Sequence, residues 1–341
     1  MGWCRERLKI AIVGMGVAGS YLAARLRDEH KVVGFEMLPK DRFDAVCAWG
    51  TSIGGIDGFA KKIGLNFEDY ILHKGREMHL DLFGRSIYIK LKGLCSFDKL
   101  RFIQDVAEGT EVNYGKFIPR SSRLDGFDLV VDATGLGRPL LPRVEHDTFI
   151  PCLQYKVKYR EPPFDDFYIK PFGGLTGYFW YFPLGDGYAH VGAGDFRKRH
   201  VAELASFLKK YPCEVLKKTG RPVRITPPSL CRPFSVDKVV GVGESIGTVY
   251  PMLGEGIIPS LQCAELLLEN FDDFSAYERA VLKKFSIYNK VFGFIRSKLE
   301  NTFTLASQLR NILSLFFHMK FNEPRYGLEI RLRDVLKVVI K

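Results

Sequence analysis

No stretch of this chain approaches the roughly 18 consecutive apolar residues that a membrane-spanning helix needs. Its seven cysteines stand singly, without a CxxC pair or metal-ligand spacing, which argues against a zinc site or an iron–sulfur cluster held by this chain. The odd count also argues against a complete disulfide framework. Repeats, low-complexity segments and nucleic-acid motifs are missing as well. The opening Met1-Gly2-Trp3-Cys4-Arg5-Glu6-Arg7 has no apolar signal region and leads straight to a strand pattern. We therefore expect a cytoplasmic protein.

What is present is a globular composition with a surplus of positive charge. The 341 residues are enough for two domains, or for one large domain with an inserted lobe. A formal net charge of +11 favours an anionic partner: a phospholipid surface, an acidic electron carrier or nucleic acid. Because the basic residues are dispersed, nucleic acid fits least well. The stretch from Phe303 to Phe317 carries an apolar face of Phe303, Leu305, Ala306, Leu309, Ile312, Leu313, Phe316 and Phe317, flanked by Arg310, Lys320 and Arg325. Most such helices cover a core; some lie on a membrane interface. Peripheral contact with the inner membrane face is thus left open.

The most informative segment is near the start. Lys9-Ile10-Ala11-Ile12-Val13 reads as a buried strand, followed by Gly14-Met15-Gly16-Val17-Ala18-Gly19, a helical stretch to Leu26, and a second apolar run ending at Glu36. This order of strand, GxGxxG, helix, strand and acid predicts a dinucleotide-binding βαβ unit. The first glycine permits the tight turn, the second lets backbone approach a pyrophosphate, and the third lets helix and strand pack closely. Phosphates would meet the open amides of the helix N-terminus at Val17, Ala18 and Gly19, and Glu36 would take the ribose hydroxyls. Two further glycine-rich strand ends follow, Phe127 to Gly135 (with Ala133-Thr134-Gly135) and Val239 to Gly247 (with Gly243-Glu244), and then Gly254, Gly256 and Ile257 open an apolar helix. Contacts spread so widely along the chain suit FAD better than NAD.

The rest of the chain predicts organisation. The expected class is α/β: a Rossmann-like FAD-binding domain with an inserted, mainly antiparallel substrate lobe and a helical C-terminal region. The first part of the FAD domain covers 1–150, with a loop whose glycines at 50, 54, 55 and 58 approach the cofactor and a hairpin at about 78–91. The lobe covers 151–236, with strands at Cys152–Tyr159, Phe167–Lys170, Gly177–Phe182 and Tyr188–Gly192 and a helix at Val201–Tyr211. The FAD domain returns over 237–271, and 272–341 is helical.

Tyr178-Phe179-Trp180-Tyr181-Phe182-Pro183, followed by Val191-Gly192-Ala193-Gly194, fits a YxWxFP pattern. With the three glycine-rich segments, it makes the chain resemble the FAD-dependent geranylgeranyl reductases, within the larger group that includes the aromatic-ring flavin hydroxylases. The resemblance spans residues 8 to 270. It implies that Ala133, Thr134 and Gly135 touch the cofactor and that Gly243 and Glu244 hold its ribityl chain. It also implies that Cys47, at the family's cysteine position, and Ala48 lie beside the flavin, and that Tyr178, Trp180 and Phe182 line an apolar slot for substrate. Three positions depart from the pattern: Glu244 replaces an aspartate, Ala48 a glycine, and the arginine usual before the Phe97-Asp98 pair is absent.

The activity implied is saturation of carbon–carbon double bonds in geranylgeranyl-type lipid chains by hydride transfer from reduced flavin. The electron donor is either NAD(P)H or reduced ferredoxin. An isolated alkene has no carbonyl to polarise it, so a proton must reach the other carbon; Cys47 is the nearest titratable candidate, and a small buried packing residue is its alternative role. Asp186 fits a turn and His190 an ordinary strand position. Rival readings are a flavin monooxygenase, a halogenase with its lysine sought among Lys61, Lys62 and Lys74, and a non-enzymatic flavin or lipid carrier.

Overall fold

The computed structural model describes residues 7–339; Met1 to Glu6, on which the absence of a signal region was read, lie outside the described residues. The chain forms two compact units, each assembled from three separate segments. One takes Met1–Ala45, Leu100–Thr148 and Arg224–Tyr288; the other takes Val46–Lys99, Phe149–Val223 and Asn289–Lys341. These divisions differ from the sequence reading, which assigns residues 46–99 to the FAD domain.

The first unit is built on a six-stranded sheet in the order Ser235–Val236, Val239–Gly241, Leu129–Asp132, Lys9–Val13, Lys31–Phe35, Glu111–Asn113. All neighbours are parallel except the first pair. Ile10, Ile12, Val131 and Val240 have no exposed surface. Continuous apolar runs, without alternation, are what strands buried on both faces require. Helix Val17–Leu26 packs against helix Ile257–Glu269, and the contact is pinned by the Tyr21 hydroxyl, which donates to Glu265 at 2.6 Å, and by Arg25, paired with the same carboxylate. Burial, reinforced by Glu265, pushes the Tyr21 hydroxyl well above its ordinary range.

The second unit holds a seven-stranded sheet in the order Glu214–Gly220, Cys152–Lys158, Tyr188–Asp195, Gly177–Gly185, Tyr168–Pro171, Glu77–Leu82, Arg85–Lys90. It is antiparallel apart from the pairing of Tyr168 with His79. The predicted hairpin at 78–91 therefore extends this sheet. Phe179 and Tyr181, each 1% exposed, form a core with Val157, Val191 and Leu204, the last contributed by helix His200–Lys210.

The glycines at 50 to 58 need a correction. They form no loop, but strand Gly50–Ser52 and helix Ile53–Lys61, whose first turn is capped by the Ser52 hydroxyl accepting from the Gly55 amide at 3.2 Å. Gly54 is small because the Pro324 backbone approaches it: a Cβ there would lie 3.0 Å from the Pro324 carbonyl oxygen.

From Phe274 the chain is largely helical, and among the described residues no helix is long and apolar enough to cross a membrane. Helix Leu305–Phe321 buries Ile312, Leu315 and Met319 and leaves Leu305, Leu309, Phe317 and Phe321 exposed. Beyond it, Glu323 accepts from Lys92 and Lys320, both at 2.6 Å, and from the Ile330 amide at 2.9 Å. Burial disfavours its charge, but these donors outweigh it and hold the carboxyl down at about 2.

Candidate functional site

In the first unit the three glycines of the opening turn have separate roles. Gly14 has φ +93°, and a Cβ on it would lie 2.6 Å from the Ala133 carbonyl oxygen. A Cβ on Gly19 would overlap the Gly14 carbonyl oxygen, whereas one on Gly16 would meet nothing within 4 Å. Thus Gly14 and Gly19 allow the turn to close, and Gly16 leaves space in front of it. Gly16 is also the N-cap of helix Val17–Leu26 without a capping side chain. The amides of Val17, Ala18 and Gly19 belong to the first turn, which has no intrahelical acceptors. That leaves an anion cradle. Glu36, at the end of the second strand, accepts from the Met15 amide at 3.1 Å and the Leu38 amide at 2.9 Å. Each carboxylate oxygen has a second lone pair for a ligand hydroxyl.

The turn after Leu129–Asp132 is organised by Asp132, a residue the sequence reading passed over. Its fully buried carboxylate accepts from the Thr134 amide and hydroxyl at 3.2 and 2.7 Å and from the Leu140 amide at 3.0 Å. Ala133, Thr134 and Gly135 are held as a backbone turn in this way. An aspartate ending a strand before small residues is the available sequence signal, since its side chain can accept from amides just downstream.

Gly243 has φ +71°, and a Cβ there would lie 3.2 Å from that of Ala18 and 3.1 Å from the Ser260 hydroxyl. The Gly243-Glu244 turn thereby meets the opening helix. Glu244 is half-buried, and its carboxylate accepts from the Arg224 amide at 3.0 Å. Arg224, 3% exposed, donates to Asp147 at 2.8 Å, to the Glu244 carbonyl at 2.7 Å and to the Leu136 carbonyl at 3.0 Å. Its partners are scattered along the chain, so nothing local in the sequence marks it. Gly254 is left-handed at φ +61°. Gly256 opens helix Ile257–Glu269 without a side-chain cap, while the Glu255 carboxylate accepts from the Ile258 amide at 2.9 Å. These segments, far apart in sequence, share one unit and fit an adenine dinucleotide: an uncapped helix N-terminus, open space at Gly16 and a carboxylate at the second strand's end.

In the second unit, Tyr178, Trp180 and Phe182 alternate with the core residues Phe179 and Tyr181 along strand Gly177–Gly185. The neighbouring strand places Gly194, Gly192 and His190 opposite those three rings. A Cβ on Gly192 would overlap the Trp180 indole, and one on Gly50 would overlap the Phe182 ring. Gly192 is therefore the seat on which the indole rests. Phe182 also meets Phe167 edge-on at 4.8 Å.

The same unit contains Cys47 and Ala48. Cys47 is half-buried, and its carbonyl accepts from Gln154 Nε2 at 2.9 Å. The Gln154 Oε1 accepts from the Trp180 indole N–H at 3.3 Å. Gln154 falls on the polar side of the strand's alternation, yet it is only 7% exposed. His190 is a strand residue, as expected, but its Nδ1 lies 3.3 Å from the Ala48 carbonyl oxygen. Asp186 occupies the hairpin turn with φ +49°. Lys61 and Lys74 are exposed and paired with Asp57 and Glu68.

No protein-family model matches the sequence. Over 122 residues the chain is 30% identical to digeranylgeranylglycerophospholipid reductase 2 of Methanothermobacter thermautotrophicus; the match covers 34% of this chain and 31% of that protein. The chain thus spans about a third of that curated relative. A geranylgeranyl bacteriochlorophyll reductase-like protein from Thermoplasma acidophilum shares the fold over 98% of this chain and 96% of its own, with a TM-score of 0.75 at 17% identity. A tryptophan 6-halogenase from Streptomyces toxytricini aligns over 98% and 90%, with a TM-score of 0.68 at 14% identity. A probable FAD-dependent monooxygenase from Pseudomonas aeruginosa aligns over 86% and 95%, with a TM-score of 0.61 at 15% identity. The chain therefore has the fold shared by geranylgeranyl reductase-like proteins, flavin halogenases and flavin monooxygenases, and over 122 residues its sequence is similar to a digeranylgeranylglycerophospholipid reductase.

Proposed function

We propose that this chain is an FAD-dependent oxidoreductase that saturates carbon–carbon double bonds in isoprenoid lipid chains. The observation that carries the reading is the strand bearing Tyr178, Trp180 and Phe182, with its indole seated on Gly192. It is joined by local similarity to a digeranylgeranylglycerophospholipid reductase. Bound FAD would supply the two-electron redox chemistry. The chain's own residues would bind and orient: Val17, Ala18 and Gly19 amides for the pyrophosphate, Glu36 for the ribose, Glu244 for the ribityl hydroxyls. Flat apolar rings offer a hydrocarbon dispersion contacts without hydrogen bonds, and they exclude water. Cys47 is the candidate proton donor. The exposed row of Leu305, Leu309, Phe317 and Phe321, in a chain of net charge +11, supports peripheral contact with an anionic membrane that holds such a substrate. The halogenase alternative gains little from Lys61 and Lys74, whose charges stand in solvent beside carboxylates.

The test is to reduce the purified FAD-loaded protein chemically and offer it a polyprenyl lipid. Products should gain two mass units per bond, without oxygen or halogen. Trp180→Ala should retain FAD and lose most turnover, and Cys47→Ala should lose most turnover if the thiol donates the proton. An oxygenated or chlorinated product, or full activity in the Trp180 variant, would move the monooxygenase or halogenase reading into first place.

A further inference from the structure

The segment Cys47-Ala48-Trp49 is held by side chains of the seven-stranded sheet at three successive residues. Gln154 donates to the Cys47 carbonyl at 2.9 Å, His190 Nδ1 lies 3.3 Å from the Ala48 carbonyl, and the Trp49 ring lies under the Lys156 ammonium at 5.0 Å and edge-on to His190 at 4.8 Å. Trp49 itself is left-handed, with φ +63°. A bulky residue is costly there, and such backbone persists only where its surroundings dictate it. Downstream the segment runs directly into strand Gly50–Ser52, and the Trp49 carbonyl accepts from the Phe97 amide at 3.1 Å.

Gln154 is the member of this set that also reaches the aromatic motif. An indole N–H can only donate and a backbone carbonyl can only accept, so the group between them must do both. A primary amide does so with one orientation, Oε1 toward Trp180 and Nε2 toward Cys47. We propose that Gln154 is a positioning residue that couples the indole of Trp180 to the backbone of Cys47, so that the aromatic motif and the thiol-bearing segment are set together. This assignment rests on the reductase reading for its consequence in turnover, but the coupling itself can be measured without turnover.

The experiment uses the FAD-loaded full chain and N-ethylmaleimide, with labelling at Cys47 followed by peptide mass spectrometry. Gln154→Met keeps length and loses both hydrogen bonds; Gln154→Glu keeps the acceptor for the indole and loses the donor to Cys47; Trp180→Phe keeps a ring and loses the N–H. Cys47 labelling should accelerate about tenfold in the first two, the factor for one lost buried hydrogen bond, and about threefold in the third. The Gln154→Met/Trp180→Phe double variant should label no faster than Gln154→Met, because one relay has been cut twice. In turnover of a polyprenyl lipid, Gln154→Met should lower kcat about tenfold with little change in KM. Unchanged Cys47 labelling in folded, FAD-retaining Gln154→Met and Gln154→Glu, or independent effects in the double variant, would overturn the coupling. If the wild-type protein reduces no lipid but the labelling pattern holds, the reductase reading fails and the coupling stands.

Discussion

Alanine at Gly16 has room for its methyl group, whereas alanine at Gly14 or Gly19 would press on the backbone of the turn. Substitution should therefore separate cofactor binding from stability within six residues. Gly16→Val is expected to purify without flavin absorbance and to unfold close to the temperature of the cofactor-free wild-type protein, since a Cβ there meets nothing within 4 Å. Gly19→Ala is expected to lose about 1–3 kcal/mol of stability, the usual cost of overpacking, in urea unfolding of the cofactor-free protein. Equal stability losses at the two positions would show that Gly16 serves packing as well.

At the scale of paired elements, the informative contact is that of Trp180 on Gly192. Gly192→Ala should cost about 1–3 kcal/mol, because the strand pairing fixes both backbones and the indole has to leave its seat. In a Trp180→Ala background the same change should cost much less, and the difference in denaturant midpoints gives the coupling. Additive losses would mean that the indole is not what excludes a side chain at residue 192. The aromatic motif and the following glycines were both legible in the sequence, because each is a local pattern with fixed spacing. Their contact was not, since it depends on strand register. The opening βαβ unit, the hairpin and four of the lobe strands were legible for the same local reason, whereas the edge strand Glu214–Gly220 and the hairpin's place in the lobe sheet were not. Gln154, Asp132 and Arg224 were not singled out: the first passes for a solvent-facing residue of an alternating strand, the second for the end of an apolar run, and the third has partners from residue 135 to residue 244. The glycines at 50 to 58 misled in the opposite sense. Glycine signals close approach, but not what approaches, and at Gly50 and Gly54 it is Phe182 and Pro324.

Across the molecule, acid should act early on the carboxy-terminal part of the second unit. Glu323 has an ordinary value of 4.5 and sits at about 2 when folded. The unfolded chain binds its proton more readily, so the stabilisation is fully present above about 4.5 and is lost as the pH falls towards 2. Hydrogen-exchange protection in the segment around Lys92, Lys320 and Ile330, corrected for the intrinsic pH dependence of amide exchange, should fall over that window, and Glu323→Gln should flatten the dependence. A wild-type profile that is already flat there would remove Glu323 as the cause.

Each unit's division into three segments has a consequence for how the protein is made. The strand Lys9–Val13 is made before its neighbour Leu129–Asp132, which comes only after residues 46–99 have been produced for the other unit, and Val239–Gly241 follows only after residues 149–223. Chains grow at roughly 5–20 residues per second, so the nascent parallel sheet waits many seconds with unpaired edges and apolar faces uncovered. Shielding by chaperones during translation, and failure of either unit to fold from a simple truncation, are the outcomes that this chain order entails.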